Sequence, residues 1–304
     1  MIGNQLALVR REFWEHRSIW VTPAAVALVT SLLVLTSYVA ASGFGEVVDI
    51  AMFSASNVGD AERKAALMAF LVGITWVFMV SMSILAVFYC LDSLYAERKD
   101  KSILFWRSLP VTDAETVISK LLTAGVLIPL VTFIAVIATH LVNLVLMSIW
   151  ISLEGGDAGH IVWGSVPLLD VWLAIFVLLV AMPLWLSPFV GWFIFVSAWT
   201  KRSPLLMAFL PIVIAPIIEY FILRTTLLRD AINTRASEVP LFKGFDQSAF
   251  FDGDNFGITS GSISLLAHID LGKFVLSPSL WAGLVVCGLF ATAAIYVRRY
   301  RGDS

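Results

Sequence analysis

Read from the first residue onward, apolar positions gather into six long blocks: Ile19 to Ala41, Leu67 to Ser93, Ile118 to Ile151, Leu168 to Trp199, Pro204 to Leu223 and Pro278 to Val297. A hydrocarbon core of about 30 Å is crossed by about 20 residues of α-helix rising about 1.5 Å each, so every block predicts a membrane-spanning helix. The third and fourth are longer than one crossing needs, which predicts tilt, an extension along the interface or a break. Pro129, Pro183, Pro188, Pro211 and Pro216 mark the kink positions, because proline cannot donate to the helical ladder. The first block ends in Val39-Ala40-Ala41, a passable cleavage site. It is nevertheless longer than the roughly 7 to 15 apolar residues of a signal peptide, and it is expected to stay as a helix.

The expected fold is therefore all-α: a polytopic membrane protein in which residues 1–304 form one transmembrane domain. The polar segments on one side cover residues 1–18, 94–117, 200–203 and 298–304. None is long enough for a core of its own, since independent domains rarely fall below about 50 residues. The other side carries the largest polar stretch, 225–277, with a short helix expected over Thr226 to Ala236 and a Gly-, Asp- and Ser-rich run holding Phe245, Phe250, Phe251 and Phe256. Basic residues orient the whole. Of the 20 Lys and Arg residues, 13 fall on the side of the termini, which places both termini in the cytoplasm and 225–277 outside. Arg63 and Lys64, just before the second block, run against that rule.

Ahead of the first block, Ile2, Leu6, Val9 and Phe13 share one helical face while Arg10, Arg11, Glu12, Glu15 and Arg17 take the other. With Trp14 and Trp20 nearby, this predicts a helix over residues 2–17 lying at the interface, its basic groups toward lipid phosphates. Two roles stand side by side: a membrane anchor, and an anchor that also touches a partner protein.

Composition narrows the chemistry. The chain is 59% hydrophobic and 14% charged, against roughly 45 to 50% and about 25% in soluble domains, and its net charge of -2 gives no reason for a nucleic-acid partner. Cys90 and Cys287 both lie inside apolar blocks and read as packing residues. A phosphate-cradling loop is missing: Gly272-Lys273 runs into Phe274 and has no glycine five residues before it. HExxH, CxxC and GxSxG are absent, and His16, His140, His160 and His268 are scattered, so no metal site or nucleophile is expected. Asp252-Gly253-Asp254-Asn255 looks faintly like a calcium loop, but Phe256 replaces a ligand and a solvated turn fits better. Asp92, Asp170, His140 and Asn143 sit near block ends. Glu219 alone is expected below the surface, as a paired or interfacial carboxylate or as a gate.

The most informative stretch is Leu91 to Leu122. Mixed charge is followed by Ile103, Leu104, Phe105 and Trp106, then Ser108-Leu109-Pro110, then Thr112 and Glu115 at capping-box spacing. Four large apolar residues in a short aqueous loop call for a cover, either interfacial lipid or a soluble partner. The pattern Asp92, Glu97-Arg98, Ser102, Ser108-Leu109-Pro110 and Lys120-Leu121-Leu122 resembles the hallmark of ABC-2 type permeases, the membrane subunits of ABC exporters. Arg10-Arg11-Glu12-Phe13 is similar to that family's interfacial helix.

The resemblance implies that the segment around Glu97 to Arg107 forms a coupling helix seated against a separate ATPase subunit. Glu97, Arg98, Lys99, Ser102, Phe105, Trp106, Arg107, Leu109 and Pro110 would make the contact, and Arg10, Arg11, Phe13 and Trp14 would flank it. It further implies no cofactor on this chain, ATP and Mg on the partner, a second permease copy in a homodimer or heterodimer, and residence in the plasma membrane, in bacteria the inner membrane. Phe78, Met82 and Trp185 would suit a path for hydrophobic or amphipathic cargo, and equally suit plain helix packing. The rival functions are an ATP-independent secondary transporter, which the scarcity of submerged charge disfavours, and a membrane scaffold or sensor.

Overall fold

The computed structural model describes residues 2–39, 60–101, 111–153, 156–164, 166–237, 239–241 and 264–301. The regular elements among these residues are all helices, with no strand among them. In chain order the helices are α1 (Ile2–Glu15), α2 (Ser18–Val39), α3 (Asp60–Lys99), α4 (Asp113–Leu122), α5 (Ile128–Leu153), α6 (Leu168–Trp185), α7 (Ser187–Trp199), α8 (Pro204–Leu223), α9 (Leu227–Ser237), α10 (Leu271–Val275) and α11 (Pro278–Arg301). Six stretches are long and apolar enough to cross a membrane: Ser18–Thr36, Arg63–Lys99, Asp113–Leu153, Leu168–Trp185, Pro204–Leu223 and Pro278–Tyr300. The chain is a multi-pass membrane protein.

The elements follow the expected blocks with two differences that have physical causes. α3 runs for 40 residues, about 60 Å of helix, because its charged ends remain helical after leaving the apolar layer. The fourth block is broken at Leu186, between Pro183 and Pro188, into α6 and the shorter α7. Pro188 lies in the first turn of α7, where its missing N–H costs nothing.

α4 and α5 are one 41-residue rod joined by a π turn over Thr123–Leu127. The Ile128 N–H reaches back to the Thr123 carbonyl. In a regular α-helix the ring of Pro129 would press on the carbonyl of Gly125, and the wider turn relieves that crowding. The capping box predicted at Thr112 is formed: its Oγ1 accepts from the Glu115 N–H at 3.1 Å, and Glu115 Oε2 accepts from the Thr112 N–H at 2.9 Å.

The main core joins α2, α3, α5, α6, α7 and α11 around Phe78, Met68, Ile128, Leu179 and Ile194. α7 and α11 approach most closely, since a Cβ on Gly191 would stand 2.9 Å from Cys287 Cα. α8 stands apart: Ala208 is its only buried residue, and its carbonyl accepts from Trp192 Nε1 at 2.9 Å. Contacts between α1, the end of α3, the start of α4 and the end of α11 put both termini at the same end of the bundle, which we call the charged end.

Candidate functional site

Six ionised side chains from four elements meet at the charged end: Arg11 and Glu12 from α1, Glu97 from α3, Asp113 and Lys120 from α4, and Arg298 from α11. Glu97 Oε1 accepts from Lys120 Nζ and Arg11 Nη2, each at 3.0 Å, and its Oε2 accepts from Arg298 Nη1 at 2.6 Å. Glu12 Oε1 accepts from Lys120 Nζ at 2.7 Å, and its Oε2 accepts from the Tyr89 hydroxyl at 2.8 Å. Arg298 Nε donates to Asp113 Oδ1 at 2.9 Å.

These six are three carboxylates and three cations and balance one another, with Glu15 accepting from Arg11 Nε at 2.9 Å at the exposed edge. That balance matters because Glu12 and Lys120 are each 1% exposed at the side chain and Glu97 is 3% exposed. A buried ion keeps its charge only when paired and hydrogen-bonded. Here every carboxylate has at least one cation within 3.2 Å.

The local folding of α1 follows from this demand. Leu8 and Glu12 are its buried residues, with Gln5, Val9, Phe13 and His16 part-buried beside them, whereas Leu6 and Trp14 are exposed. The face drawn from hydrophobicity alone, Ile2–Leu6–Val9–Phe13, is thus rotated toward Glu12, because the carboxylate must reach Lys120. Gln5 Nε2 also donates to the Glu115 carbonyl at 3.3 Å, tying α1 to the start of α4. His16 lies 3.5 Å from Glu12. Burial pushes its proton affinity below the ordinary histidine value, with Glu12 opposing the shift in part.

The residues expected to contact a partner divide. Glu97 faces into the cluster. Arg98 is part-buried and caps α7, donating to the Ser197 carbonyl and, at 2.8 Å, to the Thr200 carbonyl. Lys99 is exposed. Ser102, Phe105, Trp106, Arg107, Leu109 and Pro110 lie outside the described residues. Of the interfacial residues, Arg11 belongs to the cluster, Phe13 packs against the core, and Arg10 and Trp14 are exposed.

The residues considered for a substrate path are not brought together. Phe78 and Met82 are buried in the main core. Trp185 lies under the far end of the bundle, where its Nε1 donates to the Arg235 carbonyl at 2.9 Å and its ring carries the Arg235 guanidinium 4.2 Å from the centroid. Glu219 turns back along the chain: it accepts from Thr225 Oγ1 at 2.8 Å and from the Leu228 N–H at 2.9 Å, so it caps the start of α9.

Sequence reasoning noticed Lys120 only within a motif, and did not single out Glu12, Tyr89, Asp113 or Arg298 as site residues. The one local signal was a lysine inside an otherwise apolar block, which demands a partner; no spacing says that the partners lie 108 residues back, at Glu12, or on α3 at Glu97. No protein-family model matches the chain, and neither a curated protein nor a solved structure matches it.

Proposed function

We propose that the chain is the permease subunit of an ATP-driven ABC exporter for a hydrophobic or amphipathic substrate, driven by a separate ATPase subunit that carries ATP and Mg. In this reading it sits in the plasma membrane as a dimer with both termini cytoplasmic, so the charged end faces the cytoplasm, with α1 lying along the lipid interface. Residues 102–110 are the docking segment.

One observation carries the reading. Glu97 and Asp113, which flank residues 102–110 in the sequence, both bond to Arg298 in the same cluster. The cluster also holds α1 through Arg11 and Glu12. A push delivered to the segment therefore reaches α1, α3, α4 and α11 together, because separating any of them exposes an unpaired buried charge. A coupling device needs this rigidity, and in an ATP-driven exporter a chain without a nucleotide-binding motif takes its drive from a partner.

The test is coexpression with an ABC ATPase subunit of the same organism, followed by affinity purification. Lys99→Glu and Trp106→Ala are expected to abolish copurification while leaving the permease folded. Arg98 is a poor probe because it caps α7. Equal recovery of the ATPase with wild type and Trp106→Ala would sink the docking assignment.

A further inference from the structure

Close to the charged end, a groove of about 560 Å³ runs between α2, α3 and α8. Its floor is one face of α3: Ser81, Ile84, Phe88, Asp92 and Tyr95 recur at intervals of three or four residues. α2 contributes Ser18 and Thr22, and α8 contributes Pro204 and Leu205. The groove is graded along its length. Away from the cluster Ile84, Leu85 and Phe88 make the lining mainly apolar, with the hydroxyls of Ser81 and Thr22 beside them, and Asp92, Tyr95, His16 and Ser18 make the end near the cluster polar.

Asp92 differs from the other carboxylates nearby. Glu12 and Glu97 are paired with cations inside the protein, whereas Asp92 is exposed in the groove and makes no hydrogen bond or ion pair with a described residue. It is the only carboxylate among the described residues of the lining. Among the described lining residues no Lys or Arg stands beside it; His16 is turned toward Glu12, and burial lowers its proton affinity, with Glu12 and Asp92 opposing the shift in part. Two rings bracket Asp92 on its own helix face, Phe88 one turn before and Tyr95 one turn after.

The geometry points to a binding site for a cationic amphiphile: an ammonium head against Asp92 between Phe88 and Tyr95, with its tail along Ile84 and Leu85. The head meets a carboxylate and two aromatic faces, both of which attract cations and repel anions. A volume of this size suits a single-chain amphiphile or a drug-sized cation. Ile84 and Phe88 are more than half exposed, so the groove is open at its side and a molecule dissolved in the lipid layer can enter laterally. As a cargo site this rests on the permease reading; as a binding site it does not.

The full-length protein in nanodiscs of zwitterionic lipid, without ATPase or nucleotide, is titrated with a fluorescent dodecyltrimethylammonium probe. Saturable binding is expected, displaced by unlabelled dodecyltrimethylammonium and not by dodecyl sulfate or dodecyl maltoside. Asp92→Asn is expected to weaken it by about tenfold. Ile84→Trp, which fills the groove from an exposed position, is expected to weaken it similarly with thermal stability unchanged. Absence of saturable binding, as when a second copy or tightly held lipid covers the groove, overturns the proposal. So does equal displacement by dodecyl sulfate, or unchanged affinity in Asp92→Asn. Binding without ATPase copurification leaves the site standing and removes the permease; copurification without binding does the reverse.

Discussion

Lys120 offers the sharpest perturbation of the cluster. Its ammonium contacts Glu12 at 2.7 Å and Glu97 at 3.0 Å with the side chain 1% exposed. Lys120→Met keeps the length of the stem and removes the charge, leaving three carboxylates against Arg11 and Arg298. Two unit charges about 4 Å apart attract by about 4 kcal/mol at an effective dielectric of about 20, and removing one partner of a buried pair costs about 3–5 kcal/mol. Arg11 still reaches both Glu12 and Glu97, so the loss belongs at the lower end, about 3 kcal/mol, or more than a hundredfold in the folding equilibrium. Reversible denaturation in mixed micelles, followed by tryptophan fluorescence, measures it. The double variant Glu12→Gln with Lys120→Met restores a balance of two carboxylates to two cations and is expected to recover most of the loss. A single-variant cost under about 1 kcal/mol, the level of an exposed pair, would refute the reasoning, and so would a double variant no more stable than Lys120→Met.

Two further outcomes follow from local geometry. Gly191→Ala places a methyl group 2.9 Å from Cys287 Cα and 3.1 Å from its carbonyl, so backbone must move. A cost of about 1–3 kcal/mol is expected, seen as faster maleimide labelling of Cys287 as α7 and α11 separate. His16 gives a pH signature. Its proton affinity is lower in the folded than in the unfolded chain, so below pH ~6.5, the ordinary histidine value, the unfolded state binds more protons and stability falls. Thermal stability should therefore drop more steeply between pH 7.5 and pH 5.5 (about that range) in wild type than in His16→Asn; parallel curves would contradict the burial argument.

The spans were legible because six apolar blocks have no soluble explanation, and the structure places a helix in each. Block edges were less so: charged residues at Asp60 and Lys99 continue α3 past the apolar run, since leaving the membrane does not end a helix. The excess length of the fourth block foretold tilt, extension or break, and the break falls at Leu186, between the kink positions Pro183 and Pro188. The charged cluster was largely invisible. Its members are drawn together from α1, α3, α4 and α11, and hydrophobicity ranks Leu6 above Glu12 for burial where ion pairing decides the opposite. Glu219 reads in the sequence as a paired or interfacial carboxylate or as a gate; that it accepts from the hydroxyl and N–H opening α9 depends on the left-handed turn at Arg224.

The π turn at Thr123–Leu127 bears on what lengths of chain this fold accepts. Removing a residue from an ordinary helix rotates everything beyond it by about 100°, which here would carry Lys120 away from Glu12 or His140 away from the Leu71 carbonyl it meets at 3.1 Å. A π turn already contains one residue more than its α-helical counterpart. A homologue one residue shorter between Thr123 and Leu127 can therefore close the wide turn into α-helix and keep both faces aligned. The same deletion a turn earlier or later would break the register. Of all the positions in this 41-residue rod, the one with slack in its length sits between the charged end and the apolar core.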